Sequence, residues 1–283
     1  MDFGNLFKKE GNWYKGNVHM HTTNSDGEHA PEEICRLYNE EAYDFLCIAD
    51  HHRITAGFDV PEGMLLIPGA EMNNNATHVV GIGMKSSFDE TDMTVQEMID
   101  EINRQGAMAV IAHPYWSSLN CADLLNLENY EGMEVYNHTC HNVKGKGFST
   151  VHFDQVLQSG RKLWGFASDD THAKRDLFGS FLMVKAESLT EGHIMASLRQ
   201  GCFYSSTGVL IEDLEVGDKN IHVRFSAAST ADFIGNRNKG ARVSGEGREI
   251  KEADYSIKGN EQFLRIEVTD KKNRKAWVNP LFM

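Results

Sequence analysis

The chain has 283 residues, 41% hydrophobic and 24% charged, and a formal net charge of −13. That balance fits a globular protein and excludes a disordered one; the acidity disfavours a nucleic-acid polymer as partner, because such binders present a basic surface. The five cysteines, Cys35, Cys47, Cys121, Cys140 and Cys202, are odd in number, widely spaced and without a CxxC, so neither a disulfide framework nor a thiolate zinc site is implied.

The opening "MDFGNLFKKEGNWYKG" has no apolar core of signal-peptide length, and no later stretch approaches a membrane span. A cytoplasmic protein with no membrane partner is expected. From about residue 16 to 205, short apolar runs alternate with amphipathic segments. "NVHMH", "FLCIAD", "MLLIPGAE", "AMAVIAH", "GMEVYN", "LWGFAS" and "GSFLMVKA" read as buried strands. "PEEICRLYNEEA" reads as a helix, with Pro31 where the first turn tolerates it and acidic residues matched to the dipole. "TVQEMIDEINRQGA" sets Val95, Met98, Ile99 and Ile102 on one face, with Gly106 as a stop. "VHFDQVLQSGR" and "LTEGHIMASLRQG" behave alike. This alternation predicts a parallel sheet or barrel of seven strands, one short of the common eight-stranded barrel. After residue 206, "VLIEDLEVGDKNIHVRFSAAS", "ADYSIKGN" and "FLRIEVTDKKNRKAWVNPLFM" are rich in β-branched and alternating positions, broken by turn residues. The expected division is an α/β unit over 1–207 and a small all-β, sandwich-like unit over 208–283.

Polar residues recur where these runs end. His19 and His21 stand two apart, so a strand would turn both to one side as a bidentate metal ligand. "CIADHH" brings His51, "IPGAEM" Glu71, "THVVGIG" begins with His78, "VIAHPY" brings His113, and "GFASDDTH" brings Asp170 and His172. With Asp26 in "NSDGE", nine side chains would converge on one mouth, the edge where α/β folds assemble their sites. Asp170 shares a face with His172 and is the expected ligand of the two aspartates; Asp169 would accept from an imidazole N–H behind it. His29, His141, His152, His193 and His222 fall in helices, loops or the β region and read as ordinary surface or packing residues. His138 stays outside the set. His52, next to His51, should point elsewhere.

These residues carry a resemblance. The chain resembles the PHP (polymerase and histidinol phosphatase) family in His19-x-His21 with "SDG" at 25–27, Asp50-His51, "GAE" with Glu71 followed by His78, "AHP" with His113, and Asp170-x-His172. The motifs stand in family order over roughly residues 15–207. The resemblance implies a distorted seven-stranded β/α barrel with a trinuclear centre. It implies that His19, His21, Glu71 and Asp170 hold one metal. Glu71 would bridge to a second bound by His78 and His113, and Asp26, His51 and His172 would hold the third. The extra aspartate of "ASDDTH" and the second histidine of "ADHHR" depart from the pattern. The tail ending "AWVNP" is similar to the β region that follows this domain in some bacterial members.

Histidine and carboxylate ligands without thiolate suit manganese, iron or zinc, so two or three divalent transition ions are the expected cofactors. Three such ions against Asp26, Glu71 and Asp170 leave a net positive centre in an acidic protein. That centre suits a small anionic phosphorylated substrate. The ions would lower the pKa of a bound water to about 7 and supply the nucleophile of a phosphomonoester or phosphodiester hydrolase. Arg53, beside His51, is the candidate phosphate clamp, with Lys174 and Arg175 as others, and His52 the candidate proton-transfer group. Amide or carbamate hydrolysis at the same metals and a non-catalytic metal-binding module are the other classes. Substrate identity and oligomeric state stay open.

Overall fold

The computed structural model describes residues 10–74 and 77–283; the reading of residues 1–9 as free of a leader lies outside them. Strands β1 (Asn12–Asn17), β2 (Phe45–Ile48), β3 (Leu65–Asn74), β4 (Thr77–Ile82), β5 (Met108–Ile111), β6 (Gly132–Asn137), β7 (Trp164–Ser168), β8 (Phe181–Ala186) and β9 (Phe203–Ser206) make up the first part. They alternate with helices α1 (Pro31–Glu40), α2 (Val95–Arg104), α3 (Cys121–Leu125), α4 (His138–Lys144), α5 (Thr150–Gln158) and α6 (Glu191–Arg199). Then follow β10 (Ile211–Val216), β11 (Asn220–Ala228), β12 (Thr230–Gly235), β13 (Gly240–Ser244), β14 (Ile250–Ser256), β15 (Phe263–Thr269) and β16 (Lys275–Phe282), with no helix among them.

The helices form for the reasons visible in their sequences. Thr94 and Glu97 close a reciprocal cap at the start of α2. Met98, Ile99 and Ile102 are fully buried, and Gly106, at φ +77°, takes the left-handed conformation just past its end. In α1, Pro31 occupies the first turn and Ile34, Cys35 and Tyr38 are buried. Strands β2, β5, β6 and β7 are buried at every position, as strands covered on both faces require.

The large sheet has thirteen strands in the order β13-β12-β15-β16-β9-β8-β1-β2-β3-β4-β5-β6-β7. β1, β2 and β3 are parallel, as are β5, β6 and β7; β4 runs antiparallel to both β3 and β5. Among the described residues no hydrogen-bonded ladder joins β7 back to β1, so the expected barrel is not closed as a continuous ring. Side chains occupy the free edge of β7 instead. Ser205 Oγ accepts from Ala167 N–H at 3.0 Å and donates to the Gly165 carbonyl at 2.8 Å, while Asn279 Oδ1 accepts from Gly165 N–H at 2.9 Å. Beyond the strand ends the chain does join: Asp170 N–H donates to the His19 carbonyl at 2.8 Å and His21 N–H to that of Thr171 at 3.0 Å.

The tail also differs from a free-standing sandwich. Only β10, β11 and β14 form a separate sheet; β12, β13, β15 and β16 extend the large one through the β16–β9 pairing, Ala276 opposite Ser206 and Val278 opposite Tyr204. Tyr204, Ile211, Val223, Phe225, Phe233, Ile266 and Val268 share one buried cluster. No helix among the described residues is long and apolar enough to cross a membrane.

Candidate metal centre

The predicted ligands come from several different strands and one turn. His19 and His21 follow β1; His51 follows β2 and bridges Glu71 of β3; His113 follows β5; Asp170 and His172 follow β7. His78 lies at the start of β4, not its end. Because β4 is reversed, that start reaches the same mouth. Asp26 sits in the 22–27 turn. Asp50 holds that turn, accepting from Thr22 N–H and Oγ1, both at 2.6 Å, from Ser25 Oγ at 2.7 Å and from Thr55 Oγ1.

The nine side chains come together. His19 Nε2 and His21 Nε2 stand 3.2 Å apart. Asp170 Oδ1 lies 3.2 Å from the first and 3.0 Å from the second, and Glu71 Oε2 lies 3.4 and 3.3 Å from them. Glu71 Oε1 is 2.9 Å from His78 Nδ1 and 3.2 Å from His113 Nε2. Asp26 Oδ2 is 3.2 Å from His172 Nε2 and 3.7 Å from His51 Nε2, and His51 Nδ1 is 3.2 Å from Glu71 Oε2. Three sets hold ligand atoms all within 4.8 Å of one another: His19, His21, Glu71 and Asp170; His21, Asp26, His51 and His172; and His51, Glu71 and His78. His113 touches Glu71 but belongs to none of the three.

The first set fits a cation. A tetrahedron with metal–ligand bonds of about 2.0–2.1 Å has edges of about 3.3 Å, and the five edges above run from 3.0 to 3.4 Å. Two imidazole nitrogens facing each other at that distance either share one proton as donor and acceptor or face a common cation. Asp170 Oδ1 and His51 Nδ1 are buried without a hydrogen-bond partner, the kind of orphan that a ligand satisfies. Burial disfavours a charged His21, but the Asp170 and Glu71 carboxylates that face it outweigh burial and push its pKa up to about 9. His19 is raised in the same way, against burial, by Asp170, Glu71 and Glu134. His51 goes the other way, to about 4, because burial prevails. Burial also opposes the charge on Glu71 and Asp170, yet the imidazoles hold both carboxyls well below their ordinary range.

Backbone strain collects here as well. His113 at φ +28° and Asp170 at φ +52° are non-glycine residues in left-handed territory. Glu134 Oε2 accepts from His113 N–H at 2.8 Å, and Thr139 Oγ1 donates to the Asp170 carbonyl at 2.7 Å.

Glu134 is the residue that sequence reasoning passed over. It is buried in β6, and its Oε1 accepts from His19 Nδ1 at 2.7 Å and from Ser168 Oγ; its Oε2 also accepts from Asn137 Nδ2 at 2.8 Å. Asn137 in turn donates to Asp170 Oδ2 at 3.0 Å. The signal was a lone carboxylate inside the otherwise apolar "GMEVYN". Asp169 does not accept from an imidazole. It accepts from Tyr38 OH at 2.6 Å and from Ser180 N–H at 2.6 Å, and burial raises its pKa to about 7.

The charged candidates line the rim. Arg53 is exposed and its Nη1 donates to the Asn24 carbonyl at 3.4 Å. His52 turns Nδ1 to Glu90, its ring 5.7 Å from that of His51. Lys174 and Arg175 are exposed on a short 3-10 turn. His138 pairs through Nδ1 with Tyr136 OH at 2.8 Å, His29 with Glu33, and His222 with Asp254. The stretch "HTCHNVKGKGF" begins with α4.

No family model matches the chain. Among solved structures it is similar to a two-domain protein from Bacteroides vulgatus containing a predicted PHP-like metal-dependent phosphoesterase, with a TM-score of 0.55 and 16% identity over 92% of this chain and 91% of that one. The fold is PHP-like. An amidohydrolase from Chromobacterium violaceum aligns at a TM-score of 0.43 and 14% identity, over 56% of this chain and 88% of its own. An uncharacterised protein of Methanocaldococcus jannaschii is 22% identical over 140 residues, 44% of this chain and 81% of that protein. At such identities the PHP-like resemblance is one of fold.

Proposed function

We propose that this chain is a metal-dependent hydrolase that cleaves phosphoesters of a small metabolite or nucleotide. The observation that supports it most is the set of near-tetrahedral edges among His19, His21, Glu71 and Asp170. In this proposal those four hold one divalent ion, Glu71 with His78 and His113 a second, and Asp26, His51 and His172 a third, drawn from manganese, iron or zinc. Once bound, such ions polarise phosphoryl oxygens and acidify water.

The chain's own groups do the rest. Asp50 holds the turn that presents Asp26. Glu134 keeps His19 in the tautomer whose Nε2 lone pair faces the cluster. Arg53, on the Asp26 side of the mouth, grips the substrate phosphate, with Lys174 and Arg175 on the His172 side. His52, with Nδ1 engaged by Glu90, handles the leaving-group proton at Nε2. Residues 1–207 carry the chemistry and 208–283 form the accompanying β unit. A reducing cytoplasm suits the five free cysteines.

The test is a panel of phosphomonoesters, phosphodiesters, carbamates and amides with manganese-reconstituted protein. Hydrolysis of a phosphoester, abolished by a chelator and restored by metal, is the expected result. Turnover confined to carbamates or amides would reassign the bond cleaved, and turnover of nothing by metal-replete protein would make the chain a binding module.

A further inference from the structure

The mouth of the cluster is asymmetric. On its Asp26 flank the neighbours are polar: Asn24, Ser25 and Arg53. On its His78 and His113 flank stands an indole. Trp116 lies with its ring 4.9 Å from that of His113 at 72° and 5.6 Å from that of His78 at 69°. It is 37% exposed all the same, and its neighbour Tyr115 is 44% exposed. Large aromatic side chains left open to water forgo much of their burial energy.

Their exposure is not slack. The turn that carries them is pinned at both ends. Ser117 N–H donates to the His113 carbonyl at 3.1 Å, Leu119 N–H to that of Pro114 at 3.0 Å, and Tyr115 N–H to Ser149 Oγ at 3.1 Å. A cation sits beside this wall: Lys146 Nζ is 5.5 Å from the Tyr115 ring centre and 3.3 Å from Ser118 Oγ. A fixed, half-open indole beside the proposed metal cluster is complementary to a molecule that is flat and apolar at one end and anionic at the other.

We propose that Trp116 is the specificity wall of the site and that the substrate is a phosphoester with an aromatic or heteroaromatic body, packed on the indole while its phosphate faces the cluster. This rests on the phosphoesterase proposal above. It places the aromatic body of the substrate on the His78 and His113 flank and the phosphate clamp on the Arg53 flank.

The experiment uses two non-hydrolysable probes of equal charge, benzylphosphonate and ethylphosphonate. Their binding to the manganese-reconstituted full chain is measured by calorimetry, with metal content checked in every variant. Wild-type protein is expected to bind the aryl probe about ten-fold tighter, the size of one good aromatic contact. Trp116→Ala should lose that preference and keep its affinity for ethylphosphonate. Trp116→Phe, the conservative variant, should retain most of the preference. Equal loss for both probes, or loss of metal from Trp116→Ala, would make the indole a cover for the imidazoles and overturn the proposal. So would equal binding of the two probes by wild-type protein, or an unchanged preference in Trp116→Ala. Binding of neither probe by metal-loaded wild-type protein would overturn both this inference and the phosphoesterase proposal.

Discussion

Replacing Glu134 by glutamine tests whether the cluster is held from behind. The carboxylate receives four donors: His19 Nδ1 and Ser168 Oγ at one oxygen, His113 N–H and Asn137 Nδ2 at the other. An amide offers one oxygen and one NH2, so two donors must face a donor. The His113 backbone N–H cannot adapt. Ser168 can rotate its hydroxyl, and His19 can switch tautomer, accepting at Nδ1 and carrying its proton on Nε2. Glutamine should therefore turn its NH2 towards His19. The folding cost is about 2 kcal/mol, within the range for an imperfectly paired buried polar group. The cost to the site is larger, because a protonated Nε2 cannot ligate, and loss of such an outer partner lowers metal affinity about 10–100-fold. Thermal unfolding of metal-free protein and competition titration with manganese measure the two effects separately. Wild-type metal affinity in a Glu134→Gln protein of lowered stability would refute the tautomer argument and leave Glu134 a packing residue. Glu134→Ala, which leaves all four donors unmet, should unfold at ordinary temperatures.

Asp170→Asn should lower kcat/KM for the best phosphoester by 100-fold or more, since it removes the charge shared by His19 and His21; assays at fixed free manganese check this. Arg53→Ala should raise KM about ten-fold with little change in kcat, and unchanged kcat/KM would remove it from the clamp. Saturating metal at 100 times its Kd should stabilise the fold by about 2.7 kcal/mol, seen as a higher Tm that a chelator reverses. Glu267, buried among Arg265, Lys275 and Trp277, gives a pH test far from the cluster. Burial opposes its charge, but Arg265 and Lys275 outweigh burial and depress its pKa. Its contribution is therefore present above the ordinary glutamate value of about 4.3 and is lost as pH falls below it. Glu267→Gln should cost about 2 kcal/mol at pH 7, and the gap in Tm between the two proteins should narrow below pH 4.

Much of the site was legible because ligand chemistry is local. A histidine or carboxylate beside an apolar run announces itself in one strand, and eight of the nine residues were named that way, with Asp26 added from the "NSDGE" turn. What escaped depends on partners distant in sequence. The reversal of β4 leaves no mark in the periodicity of "THVVGIG", which reads the same in either direction. Glu134 looked like an interruption in an apolar strand, because its four donors come from residues 19, 113, 137 and 168. Asp50 was noticed only as the neighbour of His51, since the hydroxyls it binds lie in another loop. The seam at β7 depends on Ser205 and Asn279, polar residues that pass for ordinary strand positions until the C-terminal strands are laid alongside. For the same reason the tail looked self-contained: alternation shows that β16 is a strand, not that β9 is its neighbour.

The central claim is that four ligand atoms from β1, β3 and β7 converge on a cation. Its most direct measurement is the metal content of the manganese-reconstituted chain after exhaustive dialysis, compared with that of a His19→Ala/His21→Ala variant. Two or three ions per chain in the wild type, and at least one fewer in the variant, is the outcome expected. Absence of manganese, iron and zinc from the folded wild-type protein would contradict it.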